Sequence, residues 1–252
     1  LILVPEAEEA EFLRSDLEHL VSNNEVLYLA DSYKRPFELE EPHPDQIQAR
    51  AEVVSKLQHA LHPYIVVSTP EGISEKVISN EQLKKNTFEI KLGEQLDLEF
   101  LSDFLDENEF EREDFVYQPG QYAVRGGIVD IYSFSNDKPY RIELDGNLIE
   151  SIRTFEIDTQ LSIARIALLS IVPNIQSAGI AGEKVSMFKY FEEDCIVVLK
   201  HFEDQFQYLI KQWETLKEED KKPEHTWLSP KEIKDLVSDF KSIIEIGAMC
   251  SF

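Results

Sequence analysis

Apolar and polar positions alternate along this chain in two different rhythms. Leu1-Ile2-Leu3-Val4 is a short apolar run closed by Pro5, which predicts a buried strand. From Ala7 to Val21, Ala10, Leu13, Leu17, Leu20 and Val21 recur at helical spacing. Val26–Ala30 predicts a second strand, and Tyr64–Val67 a third. Between them Pro44 opens a helix whose stripe is Ile47, Val54, Leu57 and Leu61. Ser68-Thr69-Pro70-Glu71 is a helix start, so a short helix is expected over 70–78. Strand and helix taken in turn predict a parallel sheet covered by helices.

The rhythm changes near Lys84-Lys85-Asn86. Phe88, Ile90 and Leu92 alternate with Glu89 and Lys91, as on a half-buried strand. A helix over 97–104 follows. Strand-like stretches then cover Tyr122–Phe134, Tyr140–Leu144 and Asn147–Phe155. Gly126-Gly127 lies inside the first and predicts a bulge or a close backbone approach. Asp145-Gly146 between the other two is a hairpin signal. The acid-rich stretch Asp103–Asp114 reads as a solvated face and loop. From Ile166 the alternation returns, with Ile166–Val172 apolar, a strand over 195–199 and another over 242–246. Helices are expected over 202–216 and 230–240. The economical layout is an α/β domain made of 1–85 and 167–252, with an α+β antiparallel lobe, 86–166, inserted into it.

Charge narrows the functions this layout can serve. The chain has 252 residues with 49 acids against 25 bases, a net charge of -24. Such a surface repels free nucleic acid except where arginine and lysine cluster locally. Cys195 and Cys250 form no CxxC pair, which suits a reduced, cytoplasmic compartment. No run approaches the roughly 20 apolar residues of a membrane span. The abrupt apolar start at Leu1, followed at once by acids, is not a secretory signal and suggests a fragment of a longer chain.

Enzyme chemistry is hard to find. A P-loop needs glycine amides and a lysine around the phosphates, and none of the nine glycines is followed by lysine. No GxSxG elbow occurs. His59 and His62 stand one turn apart without a third ligand at diagnostic spacing. No catalytic residue, metal or cofactor is expected in this chain.

One cluster stands out. Arg125, Arg141 and Arg153 fall on neighbouring strands of the middle lobe, beside the turn glycines Gly126, Gly127 and Gly146. Planar guanidinium groups suit bidentate pairing with carboxylates. Either they form a local basic patch for a protein partner, or they pair with acids of their own sheet such as Asp130, Glu143 or Glu150.

The run Gly120-Gln121-Tyr122-Ala123-Val124-Arg125-Gly126-Gly127-Ile128-Val129-Asp130-Ile131-Tyr132 resembles a signature of transcription-repair coupling factors and of UvrB. So do Pro139-Tyr140-Arg141-Ile142-Glu143, then Ile149-Glu150-Ser151-Ile152-Arg153-Thr154-Phe155, then Asp158-Thr159-Gln160. Weaker likeness extends over 1–174. The resemblance implies a UvrB-like module with domains 1a, 2 and 1b, the sheet domain being a degenerate P-loop type. It implies a role in DNA repair: domain 2 recruits UvrA to RNA polymerase stalled at damage. The family's contact arginines fall on Arg125 and Arg141, with Arg153 beside them, and Asp145 stands where an aromatic contact is usual. The resemblance further implies masking by the protein's own carboxy-terminal domain. ATP with magnesium, RNA polymerase and duplex DNA are then engaged by domains outside this chain. A truncated UvrB-type, damage-binding helicase subunit is the alternative.

Overall fold

The computed structural model describes residues 1–21, 25–32, 44–58, 63–175, 184–215 and 226–247. Leu61, His59, His62 and Cys250, singled out above, lie outside them. Two compact units are present, Leu1–Ser79 with Glu183–Phe252, and Asn80–Gly182.

The first unit is α/β. Its chain order is β1 (Ile2–Leu3), α1 (Ala7–Leu20), β2 (Glu25–Leu29), α2 (Pro44–Gln58), β3 (Tyr64–Ser68), α3 (Pro70–Ser74) and β4 (Val77–Ile78). After the second unit it resumes with β13 (Lys184–Val185), β14 (Ile196–Lys200), α6 (Phe202–Thr215), α7 (Pro230–Ser238) and β15 (Ser242–Ile246). Five of these strands form one parallel sheet in the order β15-β14-β1-β3-β2. Ala10, Leu13, Leu17 and Val21 pack on Val4, Val26 and Val67, as the helical spacing predicts. Leu20 does not join them and is 78% exposed. The helix expected over 70–78 stops at Ser74, and β4 pairs antiparallel with β13 instead. Its start is as expected: Thr69 Oγ1 accepts from Gly72 N at 3.0 Å.

Arg50 of α2 locks this unit. It is fully buried, and its Nη1 donates to Ala30 O at 2.6 Å and Gly72 O at 2.7 Å. Its Nη2 donates to Glu75 O at 3.2 Å. Glu75 supplies the countercharge 3.4 Å from Arg50 Nε, and its Oε1 accepts from Ser32 N. A buried guanidinium is tolerable only with such partners.

The second unit is α+β. It runs α4 (Asn80–Asn86), β5 (Phe88–Lys91), α5 (Leu98–Glu107), β6 (Glu111–Arg112), β7 (Gln121–Arg125), β8 (Ile128–Ile131), β9 (Tyr140–Asp145), β10 (Leu148–Phe155), β11 (Ser162–Arg165) and β12 (Leu168–Ile171). Asp97 caps α5, accepting from Glu99 N and Phe100 N. A six-stranded sheet in the order β11-β10-β9-β8-β7-β6 is its body. Two expectations change here. The apolar run near Ile166–Val172 belongs to this unit, because β12 pairs antiparallel with β5. The acid-rich stretch is not all loop, since Glu111–Arg112 joins the sheet beside β7.

Glu71 of α3 carries a pH dependence. Burial, with Asp31 adding negative charge nearby, pushes its carboxyl up to about 7, against an ordinary 4.5. The folded chain then holds a proton that the unfolded chain has released, so stability falls as pH rises between those values. Glu71→Gln is expected to flatten that fall and to stabilise the chain by about 1–3 kcal/mol at pH 8. Thermal unfolding from pH 4 to 8 checks this, and superimposable profiles for parent and variant would contradict it.

Candidate functional site: an arginine ladder on the middle sheet

The turn chemistry of the lobe sets the site. The stretch read as one strand, Tyr122–Phe134, is a hairpin: β7 and β8 are joined by Gly126-Gly127. Gly126 has φ +62°, a conformation that costs glycine least. A Cβ on Gly127 would come within 2.9 Å of Leu144 O, so the close approach expected there is present. Gly146, φ +59°, turns β9 into β10.

Register then lines up charge. Asp130 faces Arg141, Arg141 faces Arg153, and Arg153 faces Arg165 across four adjacent strands. Side chains in such a row share a face. Alternation places Arg125 and Glu143 on it too, two residues from Ala123 and Arg141. Ala123, Tyr132 and Phe155 form a small core with Val116 at one end of this face.

Asp130 is the hub. It is fully buried. Arg141 grips it with a fork, Nε to Oδ1 at 2.7 Å and Nη2 to Oδ2 at 2.8 Å. Arg125 Nη2 donates to the same Oδ2. Hydrogen bonding to Asp130 raises the Arg141 pKa further. Around the hub each guanidinium is held again. Arg141 lies 4.2 Å from the Phe155 ring centre and donates to Gln160 Oε1 at 2.9 Å and Gln160 O at 3.3 Å. Arg125 lies 4.7 Å from the Phe115 ring centre and donates to Asp114 O at 2.6 Å. Arg153 pairs with Glu143, which also accepts from Ser151 Oγ at 2.8 Å.

So the structure brings Arg125, Arg141 and Arg153 together and pairs them with Asp130 and Glu143 of their own sheet. Of the two arrangements the sequence left open, pairing with acids of the same sheet is the one observed: like charges on facing positions repel, and the interleaved acids hold them in place. They are not sealed, however. The Arg125 side chain keeps 32% of its surface. Only two of its five N–H donors are engaged in the bonds above. Asp145 is exposed at the end of β9, with no ion pair among the described residues. Sequence reasoning missed Gln160 and Arg165. The Asp158-Thr159-Gln160 match was the available signal for the first; nothing local marks the second.

The arrangement has no nucleophile–base pair aimed at a cleft. Among the described residues no group of three His, Cys, Asp or Glu side chains is placed to hold a metal ion. What it offers is fixed positive charge with spare donors, the chemistry of binding to a carboxylate-bearing surface. Among the described residues no helix is long and apolar enough to cross a membrane.

The class of this domain is given by residues 88–176, which match the family model for the UvrB interaction domain. The chain is 31% identical over 165 residues to the transcription-repair-coupling factor of Bacillus subtilis, covering 66% of this chain and 14% of that protein. It is 24% identical over 173 residues to that of Escherichia coli, covering 69% and 15%. Against that of Rickettsia bellii it is 30% identical over 190 residues, covering 75% and 17%. The chain thus spans a small part of these relatives' length. It belongs to the family of transcription-repair coupling factors, as a UvrB-like module.

Removing the hub should cost the lobe its order. Asp130→Asn leaves two guanidinium groups without their shared charge, and a loss of about 3 kcal/mol is expected. Urea unfolding followed by tyrosine fluorescence measures it; an unchanged midpoint would show that the ladder stands without Asp130.

Proposed function

We propose that this module is the docking platform through which a transcription-repair coupling factor engages UvrA, and so brings excision repair to RNA polymerase stalled at damage. The observation that carries this reading is the clamp of Arg125 and Arg141 on buried Asp130, inside the segment that matches the UvrB interaction domain. Guanidinium groups fixed in advance lose little conformational entropy on binding. Asp145 adds an exposed acid beside them where relatives of this kind are expected to carry an aromatic, and Arg153 extends the charged row.

The α/β unit supports a scaffold role over a UvrB-type helicase subunit. In nucleotide-binding α/β folds the phosphates meet glycine-rich backbone at a helix N-terminus. Here only Val4-Pro5-Glu6 joins β1 to α1, and Glu8 and Glu9 occupy the first turn of that helix. The crevice beside it, about 430 Å³, is lined by Glu6, Asp31 and Glu71. Those carboxylates would repel a triphosphate, so these residues do not fit the group. In the whole protein, ATP with magnesium, RNA polymerase and duplex DNA then fall to other domains. The same arginine face is also the surface that the protein's own carboxy-terminal domain would cover to hold it inactive.

Calorimetric titration of the chain with purified UvrA tests the reading. Arg125→Ala and Arg141→Ala are each expected to weaken binding by at least about tenfold, the effect of losing an anchoring residue. Both variants binding as tightly as the parent, with unchanged circular dichroism, would overturn it.

A further inference from the structure

The ladder does not end at Arg153. Its last rung is Arg165, on β11, the outer strand of the sheet. Arg165 is exposed and, unlike the other three arginines of this face, has no ion pair among the described residues. Arg125, Arg141 and Arg153 are each met by a carboxylate of the face, Asp130 or Glu143, and Arg165 at the edge is not.

The backbone there is open as well. Ile166 N donates inward to Ile152 O at 3.0 Å. Backbone groups alternate sides along an antiparallel strand. Those of Arg165 consequently point away from β10, at the free edge; Ile163, the next residue but one, sits at the irregularity in the β10–β11 register. Leu161 and Ile163 are 68% and 54% exposed beside them. An uncovered edge with apolar side chains is a template for an added strand.

We infer that β11 receives an extended, carboxylate-bearing segment of the docking partner as an added strand, and that Arg165 selects for its acid; this rests on the docking reading above. Charge decides the occupant. A second copy of β11 offers no acid, because residues 161–165 contain none. An acidic segment supplies the countercharge that Arg165 lacks, and an apolar neighbour on it covers Ile163. The ladder then recognises in two ways: Arg125 and Arg141 hold a fixed face, and β11 reads an extended chain at its margin.

The test uses UvrA as the probe, in calorimetry and in amide hydrogen exchange of the same chain. Arg165→Ala is expected to weaken binding about fivefold, and Arg165→Glu about fiftyfold, since the second sets like charge against the acid. The amide of Arg165 is expected to gain protection in the complex. If Arg141→Ala weakens binding while both Arg165 variants bind like the parent and that amide exchanges at its free rate, the inference fails alone. If the parent chain does not bind UvrA, the docking reading fails and this falls with it. Protection that rises with chain concentration in the absence of UvrA would assign the edge to self-association and also overturn it.

Discussion

One buried carboxylate organises the middle lobe. Asp130 cannot reach solvent, so its charge must be met inside the fold, and Arg141 and Arg125 meet it from the two strands that flank β8. That requirement fixes the register of three strands at once, because a one-residue slip would turn the arginines to the opposite face. The rest of the site follows outward from the hub. Gln160 and Phe155 hold the far side of Arg141, Phe115 covers Arg125, and Glu143 balances Arg153. The same pairing that stabilises the lobe removes most of the freedom of the guanidinium groups. The proposed docking surface and the internal ion pair are then two uses of one geometry.

The α/β unit contributes in a different way. Arg50 ties the ends of β2 and α3 together through carbonyls and Glu75. The crevice at the start of α1 is lined by Glu6, Asp31 and Glu71, and that acidic lining is what the proposed scaffold role rests on.

Much of this was legible from residue order. Hydrophobic spacing located the parallel-sheet strands and their helices, and β15 falls on the expected residues 242–246. The three arginines were visible because two-residue turns set their strands side by side, and Asp130 and Glu143 were among the acids weighed as partners. What local patterns could not show is pairing between distant segments. The β5–β12 ladder joins residues far apart in the chain, so the lobe extends beyond 166. Arg165 stayed hidden because its row depends on an irregular register between Thr154 and Phe155. At Gly126-Gly127 the close backbone approach was expected, but not the hairpin turn between β7 and β8. Leu20 fits the helical stripe by spacing, yet at the end of α1 it stays exposed among the described residues.

In the proposed docking mode, shape and not charge alone makes Arg141 the anchor. Arg141→Lys keeps the charge and loses the fork that grips Asp130. Titrating this variant with UvrA, after confirming that it is folded, is therefore the most direct measurement. A loss of affinity of about tenfold or more is predicted. Affinity equal to the parent's would show that a diffuse positive surface suffices, and would contradict the claim that the ladder's geometry does the binding.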